Sequence, residues 1–263
     1  MTIKTGIQLY AVKDPWAEDQ EKTLERIAGL GIQGVEAFGL GEPVLFRNER
    51  VDKARTLRRR IDAAGLELSS AHAILPDPAD AGWWLEEMAE LGTPLALAST
   101  TERVLGFTRD ALSDGDRLLR FADRMNSLTE LASNHGLRIG YHNHWWEWVD
   151  VDGRPAYDRL VEALDPRVVL EIDLFWAQSA GQDIAALVSQ YGPRVELVHV
   201  KDGNGVLGVP QVPAGSGGIK LAEALSAGAE SLRWQILEVD LIAPGEDIWD
   251  VVGAGAAWLK DRS

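Results

Sequence analysis

Short apolar runs in this chain end, one after another, on side chains that can hold a cation or move a proton. Glu36 follows Gly34-Val35, His72 closes Leu66–His72, and His142, Asn143 and His144 stand at the end of the run from Leu137, with Glu147 just beyond. Asp173 ends Val168–Asp173, His199-Val200-Lys201-Asp202 ends the run from Val195, and Glu238-Val239-Asp240 follows Gln235-Ile236-Leu237. Four of the five histidines lie at such ends, and the fifth, His135, precedes Gly136. One His or carboxylate in such a place is most often a hydrogen-bonded structural group. The joint pattern is different. Solvated carboxylates belong on helix exteriors, whereas Asp173, His199 and Glu238 each follow apolar residues, where an unshared charge is costly. Two or three carboxylates and an imidazole converging from neighbouring strands suit one divalent ion, Mn²⁺, Mg²⁺, Co²⁺ or Zn²⁺, and the mixed oxygen and nitrogen donors do not choose among them. Such an ion polarises a carbonyl and its neighbouring hydroxyl, and a carboxylate beside it can take a proton from the adjacent carbon.

Positioning these groups falls to a repeated unit: an apolar run, a helical pattern, a glycine, then another apolar run. The expected strands are Ile3–Tyr10, Gly34–Phe38, Leu66–His72, Pro94–Ser99, Leu137–Asn143, Val168–Asp173, Val195–Val200 and Trp234–Val239. Helical patterns cover Glu21–Leu30, Asn48–Ala64, Asp80–Leu91, Ser113–Asn134, Ala156–Leu164, Ile184–Tyr191, Lys220–Ala227 and Glu246–Leu259. The fourth is the best formed, with Leu118, Phe121, Ala122, Met125, Leu128, Leu131 and Ala132 on one stripe. Gly31, Gly65, Gly92 and Gly136 each follow a helical run and precede a strand, where a left-handed C-terminal cap is expected. Eight β/α units without an intervening linker predict an α/β fold, a single (β/α)₈ TIM barrel over residues 1–263. A doubly wound open sheet is the alternative, but the first strand runs into Ala11-Val12-Lys13-Asp14-Pro15 and not into a glycine-rich turn. In a barrel of this kind the active site is built at the C-terminal ends of the strands, where the reactive side chains above are found.

Composition narrows the chemistry further. Cysteine is absent, which removes disulfides, thiol nucleophiles and cysteine zinc sites, so any metal must sit on His, Asp and Glu. A formal charge of −15, from 26 Lys and Arg against 41 Asp and Glu, would repel a nucleic-acid backbone or an anionic bilayer. The opening MTIKTGIQLY lacks the pattern of a signal peptide, so a cytoplasmic protein with no membrane partner is expected. The sequence leaves a homo-oligomer open. Ten tryptophans are many for this length, and several lie near the polar strand ends.

These residues carry a resemblance. Tyr141-His142-Asn143-His144-Trp145-Trp146-Glu147-Trp148 is similar to the Tyr-His-Asn-His-x-x-Glu-aromatic signature of the xylose isomerase-like TIM-barrel superfamily, the group of sugar phosphate isomerases and epimerases. Gly6-Ile7-Gln8-Leu9-Tyr10, Gly34-Val35-Glu36, Asp173-Leu174-Phe175-Trp176 and His199-Val200-Lys201-Asp202 also resemble that group, so the likeness spans nearly the whole chain. It implies one divalent metal ion held by Asp173, His199, Glu238 and an acid of strand five or its loop, Glu147, with His142 or His144 as its rival. Many relatives carry a Glu within strand five where this chain has none. The resemblance also implies Glu147 and Glu238 as the proton-handling pair and Lys201 as a group that orients a sugar oxygen, although a strand-end Lys paired with Asp202 is as consistent with the sequence. Glu36, His72, His142, His144, Trp176 and Lys201 would line the substrate. The related apurinic endonucleases use Asp-x-x-His on strand six, but the third residue after Asp173 is Trp176, which together with the charge argues against DNA repair.

The expected activity is metal-dependent isomerisation or epimerisation of a keto sugar or cyclitol, through proton abstraction next to the carbonyl and a metal-stabilised enediolate. The same machinery can expel a β-leaving group, giving a dehydratase or keto-glycoside lyase. A reading of another class is a non-catalytic sugar-binding barrel, against which the paired carboxylates speak. The loop Pro213-Ala214-Gly215-Ser216-Gly217-Gly218 precedes the seventh helix, a place where barrels bind phosphate through backbone N–H groups, but no Arg accompanies it.

Overall fold

A computed structural model describes residues 2–262. Eight parallel strands alternate with helices and close into a barrel: β1 (Lys4–Gln8), β2 (Gly34–Leu40), β3 (Glu67–Ala73), β4 (Leu95–Ala98), β5 (Arg138–His142), β6 (Val169–Asp173), β7 (Val195–Val200) and β8 (Trp234–Leu237). Around the barrel the order is β1-β8-β7-β6-β5-β4-β3-β2, the closed ring expected of a TIM barrel. No helix among the described residues is long and apolar enough to cross a membrane.

The chain packs as two compact units. One holds the described residues up to Phe38, Arg59–Ser69 and everything from Glu171 onward; the other holds Gly39–Arg58 and Ser70–Leu170. Within the first unit β1 pairs with β2 (Gln8 opposite Glu36) and with β8 (Gly6 opposite Ile236), and β8 pairs with β7 (Ile236 opposite His199). Gly6 and Gly34 make room for the Trp234 ring on the inner face of these strands. A Cβ on Gly34 would lie 2.6 Å from Trp234 Cη2 and 2.8 Å from the Glu67 carbonyl oxygen.

The first strand is shorter than the sequence predicts, because the Gln8 side chain accepts a hydrogen bond from the Tyr10 N–H at 3.1 Å and turns the chain into a 3₁₀ turn over Leu9–Val12. Asp173 likewise starts a short helix, Leu174–Ser179, by accepting from the Trp176 N–H at 2.8 Å. In the second unit the helix Gly115–Ser133 is capped by Asp114, and Leu118, Phe121, Ala122, Met125, Leu128 and Ala132 are buried along one stripe; Leu131 is half-buried at its edge. Gly31, Gly65, Gly92 and Gly136 all take the left-handed conformation expected of them.

Candidate active site

Period-two alternation explains which side chains meet inside the first unit. Glu171 and Asp173 share a face of β6, His199 lies on β7 with Lys201 two residues on, and Glu238 follows β8. His199 is fully buried and bridges carboxylates on both sides of its ring. Its Nε2 lies 2.7 Å from Glu36 Oε1 and 3.3 Å from Glu171 Oε2; its Nδ1 lies 2.6 Å from Glu238 Oε2 and 4.0 Å from Asp173 Oδ2. Because β2 and β7 are three strands apart in the ring, the His199–Glu36 bond passes through the barrel interior. Glu36 in turn accepts from Gln8 Nε2 at 2.7 Å.

Lys201 is the second hub. Its Nζ lies 2.9 Å from Asp173, 2.7 Å from Glu238 and 2.9 Å from Asp240, and 5.3 Å from the centre of the Trp176 ring. Asp240 is held by Gln211, whose side chain donates to the carboxylate at 3.2 Å and accepts from the Asp240 N–H at 2.7 Å. Lys201 therefore pairs with these three acids, and the neighbouring Asp202 serves another purpose. Its oxygens accept the backbone N–H groups of Gly203, Gly215, Gly217 and Ile219 at 2.8, 2.8, 3.0 and 3.1 Å. The glycine-rich loop thus spends those amides on Asp202.

Electrostatics follow from the count of charges. Five carboxylates, of Glu36, Glu171, Asp173, Glu238 and Asp240, face two cationic side chains. Burial works against a charged imidazole, but Glu171, Glu238 and Glu36 outweigh it and hold His199 well above the usual histidine range. Burial opposes the Lys201 charge in the same way and is overcome by Asp173, Asp240 and Glu238. Asp173 is pushed up to about 6, by burial first, against the pull of Lys201 and His199. A low-dielectric pocket with more acids than bases is costly for the bare protein and favourable for an added cation. Asp173, His199 and Glu238 each offer a ligand atom, all within 4.8 Å of one another, so the donor set fits one divalent ion.

The remaining sequence candidates lie in the second unit. His72 and His142 pack edge to face with ring centres 5.0 Å apart, His142 and His144 likewise at 5.1 Å, and His144 stacks on Trp146 at 4.3 Å. Glu147 is fully buried in the turn after β5, where one oxygen accepts from the Tyr141 hydroxyl at 3.0 Å and the other from the His144 N–H at 2.9 Å. Burial and the Glu147 charge push the Tyr141 hydroxyl well above its ordinary range, which keeps it a donor. Sequence reasoning missed Glu171, reading it as one of the apolar strand residues. The available signal was its spacing of two from Asp173, which places both on one face of a strand. Gln211 carried no sequence signal, its partner being 29 residues away, and Gln8 entered only within the family-like segment Gly6-Ile7-Gln8-Leu9-Tyr10, its partner being 28 residues away.

The family model for the xylose isomerase-like TIM barrel matches residues 24–260. The chain belongs to that family. An inosose dehydratase of Salmonella typhimurium is 34% identical over 79 residues, which are 30% of this chain and 26% of that protein; one from Bacillus anthracis is 31% identical over 84 residues. The matched segment thus spans about a quarter of the length of these relatives. Among solved structures, a sugar phosphate isomerase/epimerase of Parabacteroides distasonis superposes with a TM-score of 0.76 at 22% identity, covering 99% of this chain and 94% of its own. The 3-keto-D-glucoside 4-epimerase of E. coli superposes with a TM-score of 0.69 at 15% identity, covering 99% of this chain and all of its own. At those identities the structural likeness establishes the shared fold. The proteins this chain is similar to are named as epimerases, isomerases and dehydratases.

Proposed function

We propose that this barrel is a metal-dependent isomerase or epimerase that removes the proton next to the carbonyl of a keto sugar or cyclitol. The observation that carries the reading is the cluster in which four buried carboxylates and the half-buried Asp240 face His199 and Lys201. Asp173, His199 and Glu238 would hold one divalent ion, which when bound supplies Lewis-acid polarisation of the substrate carbonyl. The Nδ1 of His199 faces Glu238 and Asp173, so this is the nitrogen suited to ligation, and Nε2–H would then donate to Glu36 and fix the ring. Gln8 orients Glu36 in its turn.

Glu238 lies between His199 and Lys201 and is the carboxylate we assign to proton transfer. Lys201, itself held by three acids, donates to the substrate oxygen on which negative charge develops. Trp176 covers the Lys201 ammonium and closes that side against water. Returning the proton from Glu238 to the neighbouring carbon yields an isomer, whereas an epimer requires a second acid to protonate the opposite face of the same carbon. Glu147, whose two oxygens are engaged by Tyr141 and His144, we assign as a brace of the loop after β5, not as a ligand or proton carrier.

A second reading is favoured by the inosose dehydratase matches: loss of a β-hydroxyl after the same proton abstraction. Both share their first step. Protein reconstituted with Mn²⁺, Co²⁺, Mg²⁺ or Zn²⁺ is incubated in D₂O with a panel of ketoses and inososes, and deuterium uptake is read by NMR with new products by mass. Metal-dependent uptake is expected, falling by ~10²–10⁴-fold in Glu238→Gln, the range for a positioned acid or base. Full uptake in Glu238→Gln removes that residue from the mechanism; no uptake with any metal or substrate class sinks the reading.

A further inference from the structure

Beyond Asp202 the chain makes an excursion that is closed at its base and open at its tip. Two hydrogen bonds fix the base: the Asp202 carbonyl accepts the Val212 N–H at 3.0 Å, and the Gln211 N–H donates to the Leu241 carbonyl at 2.8 Å. Between them Asn204, Val206, Leu207, Gly208 and Val209 are exposed. This tip carries Asn204-Gly205, the only asparagine-glycine pair among the five asparagines of the chain.

Such a pair has its own chemistry, because a main-chain nitrogen that reaches the carboxamide carbon of the asparagine before it can displace ammonia and close a succinimide. Three observations favour that step here. Asn204 Oδ1 accepts the Val206 N–H at 3.0 Å, an Asx turn that folds the carboxamide over the Gly205 peptide and polarises its carbonyl. Among the described residues the Gly205 N–H donates to no group, so no hydrogen bond must break before it reacts. Gly205 lies at φ 72°, and it has no Cβ to crowd its nitrogen. The other asparagines lack this combination. Asn48 and Asn126 lie in helices, Asn143 is buried, and the His135 N–H after Asn134 is engaged by the Ala132 carbonyl at 2.9 Å. Asp202-Gly203, the acidic counterpart next door, is closed off, since Asp202 is buried with four N–H groups on its oxygens.

We propose that Asn204-Gly205 is a self-modification site. The Gly205 nitrogen gives up its proton to solvent base and bonds to Asn204 Cγ, while the carboxamide nitrogen leaves as ammonia. Water then opens the succinimide at either carbonyl, giving isoaspartate or aspartate. The sum is one water consumed and one ammonia released, with no oxidant or reductant. Each product adds negative charge to a chain already at −15, and isoaspartate also lengthens the main chain by a carbon in the loop that follows Lys201.

To test this, purified protein is held in mildly alkaline buffer and sampled over time by peptide mapping with mass analysis, and isoaspartate is counted by labelled methyl transfer from an isoaspartyl carboxyl methyltransferase. The Asn204 peptide is expected to gain the mass of amide-to-acid exchange, and the methyl label, ahead of the peptides holding Asn48, Asn126, Asn134 and Asn143. Gly205→Ala should convert about tenfold more slowly, the factor of a ~1.4 kcal/mol rise in barrier. A Cβ there would meet Ser179 Oγ and Ile219 Cδ1 only at 3.7 and 3.8 Å, so this variant disturbs the left-handed backbone and not the packing. Asn204→Gln leaves the glycine in place, serves if the alanine variant does not fold, and should abolish conversion at this position. Earlier conversion of another asparagine, or an equal rate in Gly205→Ala, overturns the proposal. So does an Asn204 peptide that stays unchanged in the folded protein over the time in which it converts in urea.

Discussion

Replacing Lys201 by Met keeps most of the apolar stem and removes the charge that Asp173, Glu238 and Asp240 share at 2.9, 2.7 and 2.9 Å. Breaking a buried ion pair by deleting one partner costs ~3–5 kcal/mol, because the other charge stays behind. Two features favour the low end. Asp240 is 31% exposed and partly screened, and Asp173, already pushed up to about 6, can take up a proton. A loss of ~3 kcal/mol in a chain of this size lowers the melting temperature by roughly 6–12 °C. The pH dependence has a definite sign. A carboxyl whose folded-state pKa lies above its unfolded value favours folding in its protonated form, so the contribution of Asp173 is present below about 3.8 and is lost as pH rises through about 6. Without Lys201 this carboxyl loses a neighbour that holds its pKa down, and the window extends upward. The deficit of Lys201→Met should therefore be largest above about pH 7 and should narrow toward about pH 5. A divalent ion restores positive charge to the same acids, so added Mn²⁺ should raise the melting temperature of the variant more than that of wild type. Differential scanning fluorimetry in chelator and in Mn²⁺, across pH, measures all three quantities. Equal stability of variant and wild type in chelator at neutral pH, or an equal metal response, would refute the account of the cluster as an under-compensated acidic site.

Glu87 is buried beneath the Gly41 N–H, which approaches both its oxygens at 3.3 and 3.2 Å, and burial pushes its pKa up against the pull of that N–H, Lys53 and Arg50. Its ionised form opposes folding above the usual 4.5, so Glu87→Gln, which keeps an acceptor for Gly41, should gain stability relative to wild type at about pH 8 and little at about pH 4. Urea unfolding at both pH values tests this, and a larger loss at the higher pH contradicts it. Gly34→Ala should lose ~1–3 kcal/mol by overpacking, since its Cβ meets Trp234 and the Glu67 carbonyl at 2.6 and 2.8 Å. Adding Trp234→Leu should restore only part of that loss, because the backbone oxygen remains; complete restoration would show that the ring alone sets the constraint.

The sequence by itself determined the eight-fold β/α alternation, the glycines that end helices, and the placement of Asp173, His199 and Glu238 at the ends of strands. Each of these is a local property: hydrophobic period, chain reversal at a left-handed glycine, and polarity at the end of an apolar run lie within a few residues of one another. Tertiary structure alone decided which acids share His199. Glu36 is 163 residues away in the chain and Glu238 is 39, yet both lie within 2.7 Å of the ring, because pairing of β1 with β8 brings β2 within three strands of β7. The same closure exposed what local reading hid. Asp202, adjacent to Lys201 in sequence, turns to amides 13 to 17 residues ahead, while Lys201 turns to acids on other strands. A strand sends successive side chains to opposite faces, so neighbours in sequence enter different environments, and only the closed fold determines which groups await them.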